Sequence, residues 1–315
     1  MTLTRRDVEN IAQLARLELP EAELPVYVGS LSAILAFVEQ RAQRRGGTAR
    51  AVAGFAADHR GAVETMMRGG LAAADLARAL IPAPAVEAIT DAARRLTGKR
   101  VPRVSRALRH GPGSPKTTPH RQDPSRTGLP GPTAQTGRPS IVYFPSCATR
   151  MFGAPQTEHD LLAVPDAMLA LLDRAGFDVI VPEHLNGQCC GQPFQSKGFP
   201  EQAAAVGGAL RRELSALSDA GRLSVVTDAS TCAKHLRDVP GDAPVLDSSQ
   251  FLLGQVLPRL TITRKLAVVA VHHNCSAQLL VEQPMTEAIA AACAEQIAVL
   301  SSVTCCGYAG DKGLF

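Results

Sequence analysis

The chain has 315 residues, a net charge of +4 and a hydrophobic content of 45%, with 4% aromatic residues and no tryptophan. That length leaves room for roughly two domains. No N-terminal apolar leader and no apolar run long enough to span a bilayer is present, so we expect a cytoplasmic chain whose reduced cysteines bind metal rather than pair.

Thr4 followed by Asp7 predicts a helix start of the capping-box type, with Asp in the place of Glu. Val8, Ile11, Ala12 and Ala15 recur at helical spacing. Leu19-Pro20-Glu21 breaks that helix and opens a second, with Leu24, Tyr27, Val28, Leu31, Leu35 and Val38 as its stripe. Residues 1–40 thus read as a helical hairpin that needs a partner to bury its faces. Residues 41–140 read as an Arg-, Pro- and Gly-rich linker carrying short helices, one over 63–81 ended by Pro82 and Pro84, another over 86–96. Residues 101–139 have almost no apolar periodicity and are expected to be disordered. Their basic residues lack interleaved aromatics, so we expect no direct nucleic-acid binding.

From Ile141 the texture changes. Strands are expected at 141–144, 178–181, 223–227 and 266–271, with a further β-rich run at 299–303. Helices are expected at 161–175, 201–218, 249–257 and 285–298. Strands separated by helices predict an α/β fold with parallel-sheet layering. We divide this part into two repeated units, 141–260 and 261–315, because each carries the same cysteine pattern.

Gln188-Cys189-Cys190-Gly191 is echoed by Thr304-Cys305-Cys306-Gly307. Each is preceded by a β-rich run ending in a cysteine, Cys147 and Cys275. Adjacent cysteines do not readily pair, because a disulfide wants a Cα separation of about 5.5 Å. Two neighbouring thiolates beside a glycine suit a metal cluster. Equal intervals separate Cys147 from Cys189 and Cys190 from Cys232. If all these positions lie at strand ends, Cys147, Cys189, Cys190 and Cys232 converge on one sheet edge. Four thiolates there fit an iron–sulfur cluster. Structural zinc, which usually shows Cys-x-x-Cys clips, and plain core cysteines are the alternatives. Cys275, Cys305 and Cys306 repeat the pattern without a fourth cysteine, so the second site reads as cut short. Cys293 reads as a small core residue of a helix. Ser146, Thr231, Asn274 and Thr304 are candidates for hydrogen bonds to sulfur. His235, in Cys232-x-x-His235, reads as a helical surface residue rather than a fifth ligand, and His272 and His273 as a strand-end polar pair.

Two resemblances follow from these residues. Thr4-Arg5-Arg6-Asp7-Val8-Glu9-Asn10-Ile11-Ala12, Leu14-Ala15-Arg16-Leu17 and Ile34-Leu35-Ala36-Phe37-Val38-Glu39-Gln40 resemble the start of the C subunit of the Asp/Glu-tRNA amidotransferase. That resemblance implies a small, non-catalytic helical clamp between the amidase (A) and tRNA-binding (B) subunits. It stops at Arg41. A one-base shift in codons for Ala42-Gln43-Arg44-Arg45-Gly46 yields the Leu-Asn-Ala-Val-Asp with which the family continues, so residues 41 to about 62 read either as an out-of-frame stretch or as an Arg/Gly-rich solvated linker.

Residues 141–315 resemble the cysteine-rich, Cys-Cys-Gly family of iron–sulfur oxidoreductases, and 63–140 do so weakly. The resemblance is to the C-terminal part of FAD-linked, D-lactate-dehydrogenase-type proteins. It rests on Tyr143-Phe144-Pro145-Ser146-Cys147, Cys189-Cys190-Gly191, Ser196-Lys197-Gly198, Asp228-Ala229-Ser230-Thr231-Cys232, Val245-Leu246-Asp247-Ser248 and Cys305-Cys306-Gly307-Tyr308-Ala309-Gly310-Asp311-Lys312-Gly313-Leu314. It implies an electron-transfer component of an oxidoreductase, holding a 4Fe-4S cluster at Cys147, Cys189, Cys190 and Cys232 and a remnant site at Cys275, Cys305 and Cys306. The flavin domain that would oxidise a 2-hydroxy acid is missing from this sequence, so FAD is expected only on a partner chain or domain. An inactive composite of the two parts is the remaining reading.

Overall fold

The computed structural model describes residues 3–14, 18–43, 47–81, 83–96, 109–115, 137–154, 161–280 and 283–300. They divide into two compact units, Met1–Phe55 and Ala56–Phe315.

In the first unit, helix α1 (Arg5–Leu14) opens with the expected reciprocal cap. The Thr4 amide and hydroxyl donate to Asp7 Oδ2 at 2.8 and 2.6 Å, and the Asp7 amide donates back to Thr4 Oγ1 at 3.3 Å. Two orphan donors of the first turn are thereby satisfied. Val8 and Ala12 are buried, as is Leu24 at the start of α2 (Leu24–Gln43). Ile11, Val26 and Tyr27 remain exposed, so much of the apolar surface of the hairpin is uncovered. Helix α3 (Gly47–Asp58) crosses the boundary between the units. Residues 47–58 are therefore helical, within the stretch expected to be a linker carrying short helices.

The second unit continues with α4 (Arg60–Leu80) and α5 (Ala83–Leu96), matching the helices expected there. Most of 101–139 lies outside the described residues. A short strand β1 (Arg109–His110) pairs antiparallel with β3 (Phe152–Gly153).

The main sheet is fully parallel, with strand order β4 (Asp178–Ile180), β2 (Ser140–Phe144), β5 (Val225–Thr227), β6 (Val245–Asp247). The run Ile141 to Phe144 is apolar at every position because both faces of a parallel sheet are covered. Successive side chains point to opposite faces. Val142 and Phe144 pack with Leu210 and Leu214 of α9 (Pro200–Leu217) and Leu236 of α10 (Ser230–Asp238). Ile141 and Tyr143 pack with Met168, Leu169 and Leu172 of α7 (Val164–Arg174) and Phe251 of α11 (Ser248–Phe251). This is the expected α/β layering. Helix α7 starts later than expected, because Pro165 in its first turn fixes the start. Short helices α6 (Cys147–Met151) and α8 (Gln192–Ser196), which the periodicity did not reveal, follow β2 and the Cys-Cys-Gly loop. Past α11 the chain runs through a widened turn, Leu252–Val256, and a tight one, Leu257–Arg259.

Strand β7 (Leu266–Val271) leads to α12 (Cys275–Leu279), α13 (Gln283–Cys293) and β8 (Ala294–Val299), which pairs parallel with β7. The expected helix over 285–298 therefore ends at Cys293. Pairing to β7, with Val268 opposite Gln296 and Ala270 opposite Ala298, overrides the helical tendency of the alanine-rich run. Residues 301–315, including Thr304, Cys305 and Cys306, lie outside the described residues.

Candidate metal centre

The main-sheet strands run parallel, so the segments that follow β2, β4 and β5 all begin at one carboxyl-terminal edge. Cys147 opens α6 just past β2. Cys189 and Cys190 end the loop that follows β4, and Cys232 sits in the first turn of α10, just past β5. The structure brings these four thiols together. Cys190 Sγ donates to Cys232 Sγ at 3.2 Å. Cys147 and Cys189 lie near enough to this pair for each thiol to influence the ionisation of its neighbours. The Gly191 amide donates to Cys189 Sγ at 3.4 Å.

The group keeps its protons. The neighbouring Cys189, together with burial, pushes the Cys147 thiol well up. The Cys147 neighbour favours the Cys189 thiolate, but Cys190 on its other side and burial outweigh this and push Cys189 up to about 12. The Cys189 neighbour favours the Cys190 thiolate, yet donation to Cys232 and burial carry Cys190 well up. Cys232 accepts from Cys190, and burial still raises it. At neutral pH the four are thiols, and a cation that displaces the protons would convert them to ligands.

Two charged residues hold the loops. The Arg150 guanidinium is fully buried and bridges both cysteine loops, donating to Pro145 O at 2.7 Å and to Gln188 O at 2.8 Å. Its charge is met by Glu64 of α4, at 3.0 and 2.8 Å. Glu64 Oε2 also accepts from the Gly187 amide at 2.9 Å, and Arg60 donates to Gly187 O at 2.8 Å. On the other side Asp228 accepts from Tyr143 Oη at 2.6 Å, the Ser146 amide at 2.9 Å and Thr149 Oγ1 at 2.8 Å. Burial, then the Asp228 charge, pushes the Tyr143 phenol up, which keeps it a donor. Asp228 thus ties the Cys147 loop to the segment that carries Cys232.

Gly191 has φ +95°, a conformation that favours glycine. A Cβ there would also run into the Ala203 carbonyl oxygen of α9, and one on Gly207 would lie 2.7 Å from the Cys190 carbonyl oxygen. The two glycines let α9 lie directly against the Cys-Cys-Gly backbone.

Among the described residues, no three His, Cys, Asp or Glu side chains are arranged to hold a single metal ion. Cys190 and Cys232 touch, with Cys147 and Cys189 beside them, and a group of soft donors suits iron and sulfide better than a hard cation. Residues 141–237 match the family model of the cysteine-rich domain, CCG. Cys147, Cys189, Cys190 and Cys232 all lie inside that domain. A separate comparison finds a 40-residue segment 52% identical to the C subunit of the aspartyl/glutamyl-tRNA(Asn/Gln) amidotransferase of Citrifermentans bemidjiense. The same length is 58% identical to that of Geobacter sulfurreducens. Each match covers 13% of this chain and 42% of the relative, so the chain spans less than half the length of these curated relatives. No solved structure matches the chain.

The other expected site residues separate from the cysteine-rich domain. The Cys275 thiol is exposed at the start of α12, and Cys293 is half-buried at the end of α13. The Ser146 hydroxyl and the Asn274 side chain are helix caps, accepting from the Thr149 amide at 3.2 Å and the Ala277 amide at 2.9 Å. Thr231 is exposed. Sequence reasoning missed Arg150, Glu64 and Asp228. Only Asp228 had a visible signal, its place in the Asp-Ala-Ser-Thr-Cys run.

Proposed function

We propose that the cysteine-rich domain is an iron–sulfur electron-transfer domain in which Cys147, Cys189, Cys190 and Cys232 hold the cluster, of the 4Fe-4S type. The observation that carries this reading is the gathering of four thiols from three strand ends, Cys190 and Cys232 buried and in contact, Cys147 and Cys189 half-buried beside them. The bound cluster would supply one-electron chemistry. The chain's residues place the donors, exclude water and balance charge: Arg150 and Asp228 fix the loops, and Glu64 neutralises Arg150. The order β7, Asn274-capped Cys275, α13, β8 follows the order β2, Ser146-capped Cys147, α7, β4, which supports a second Cys-Cys-Gly unit using Cys275, Cys305 and Cys306. A flavin-bearing dehydrogenase of the D-lactate type is the matching electron donor. Free thiols suit a reducing compartment, the cytoplasm, and no helix among the described residues is long and apolar enough to cross a membrane. Anaerobic purification with iron and sulfide analysis tests the reading. Iron and acid-labile sulfide in about equal amounts, with a reducible cluster signal, support it; an iron-free chain, or zinc alone, overturns it.

A second reading belongs to the first unit. The capped α1–α2 hairpin and the 40-residue match favour a non-catalytic assembly role, that of the C subunit that joins the A and B subunits of the amidotransferase. Its exposed Ile11, Val26 and Tyr27 would be covered in such a complex. Co-purification of residues 1–55 with the A and B subunits tests it. Failure to associate leaves this unit as a composite remnant.

A further inference from the structure

His235 is a hydrogen-bonding anomaly of the cysteine-rich domain. It stands three residues after Cys232 on α10, and residues at that spacing share a helix face. Its Nε2 is buried and has no hydrogen-bond partner. Buried polar atoms are nearly always partnered, so an orphaned one calls for an explanation. The position of this atom supplies one. A Cβ on Gly191 would lie 3.2 Å from His235 Nε2, so the imidazole rests against the residue that follows Cys190. The glycine clears room for the ring as well as for the Ala203 carbonyl. On the other side of Cys190 its thiol touches Cys232, one helical turn before His235. The unsatisfied nitrogen thus lies against Gly191, next in the chain to Cys190 and one helical turn beyond Cys232, away from bulk water.

We propose that His235 Nε2 is a ligand of the metal group held by Cys147, Cys189, Cys190 and Cys232; this rests on reading the four thiols as a metal site. A neutral imidazole offers one lone pair of borderline softness, which iron accepts beside thiolate. Burial lowers the basicity of His235, which keeps the ring neutral and its lone pair free. The Ala203 and His235 contacts together account for a glycine at 191 where any side chain would block the approach.

The test is reconstitution of the full chain with ferrous iron and sulfide under argon, followed by pulsed electron paramagnetic resonance of the reduced sample. Wild type is expected to show a strongly coupled nitrogen that changes isotope pattern when histidine is labelled with 15N. His235→Ala is expected to lose that coupling and to release iron to a chelator at least about tenfold more readily. His235→Cys is expected to retain iron with no nitrogen coupling. A cluster that forms in wild type without coupled histidine nitrogen, or whose coupling survives in His235→Ala, overturns the histidine ligand and leaves the four-cysteine reading in place. A wild-type chain that takes up no iron overturns both. His235→Ala that fails to fold is replaced by His235→Cys, whose folded, iron-loaded state isolates the nitrogen signal from any effect on stability.

Discussion

Glu64 lies outside the segment that matches the cysteine-rich domain, yet it faces the most buried charge inside it. Glu64→Ala removes both carboxylate bonds to Arg150, at 3.0 and 2.8 Å, and the acceptor of the Gly187 amide. Arg150 would keep its bonds to Pro145 O and Gln188 O but lose the carboxylate that balances its charge. Both side chains are almost wholly shielded, at 0% and 6% exposure, so water does not replace what is lost. Breaking such a pair from one side costs about 3–5 kcal/mol, against a total of about 5–15 kcal/mol for a domain. If α4 were an appended linker, the change would stay within about 0.5 kcal/mol. With no tryptophan in the chain, urea unfolding is best followed by circular dichroism. Glu64→Ala is expected to lower the midpoint sharply at unchanged slope. Glu64→Leu with Arg150→Met should recover much of the loss, because the penalty is the unpaired charge rather than the missing contact. A wild-type midpoint for Glu64→Ala refutes the reasoning, and so does a double variant no more stable than the single one.

Cys190→Ser, within the thiol group, is expected to cut iron retention by at least about tenfold, read by chelator competition. Gly191→Ala is expected to destabilise by about 1–3 kcal/mol, because the residue must hold φ +95° and meet the Ala203 carbonyl, and thermal melts would register it. Metal uptake should release protons and weaken as pH falls, by about tenfold per unit for each proton displaced; calorimetry in buffers of different ionisation enthalpy counts them. Without metal the sign is reversed for stability. The thiols bind protons more tightly folded than unfolded, so their contribution is full below the unfolded value of about 8.5. It is lost as pH climbs towards about 12, where Cys189 titrates. Urea midpoints of the metal-free chain measured from pH 7 to 11 should therefore fall.

The parts legible in the sequence were those governed by local pattern. The unbroken apolar run Ile141 to Phe144 announces a strand covered on both faces, and the structure buries all four residues. The equal intervals between cysteines mark strand ends of one sheet, and Cys190 and Cys232 meet in the structure. Thr4 and Asp7 announce a cap that closes over a single turn. What escaped depended on partners far apart. Arg150 and Glu64 are 86 residues from one another, and nothing near Arg150 tells a buried guanidinium from a surface one. The end of α13 escaped for a related reason: an alanine-rich run is helical by propensity, and β7 alone makes its last part a strand. His235 sits on the helix expected of it, but its buried, unpartnered nitrogen departs from the surface role assigned by spacing.

The bonds of α4 also bear on where the two resemblances meet. Arg60 falls within the stretch read as out of frame, yet its guanidinium donates to Gly187 O, next to Gln188 and Cys189. Four residues on, Glu64 closes the Arg150 clamp, and Thr65 Oγ1 accepts from Asn186 Nδ2 at 3.3 Å. Farther along the helix, Asp75 accepts from the His110 amide at 3.1 Å and pairs with its ring at 2.6 Å, while β1 pairs with β3 directly after α6. Interactions of this density over residues 60–75 belong to one folded unit with the cysteine loops. These contacts predict that a frame change, if the gene carries one, lies in codons before Arg60. Codon sequence across 41–62 decides this: an alternative frame that extends past codon 60 would make the Arg60 and Glu64 contacts accidental, and Glu64→Ala would then be silent.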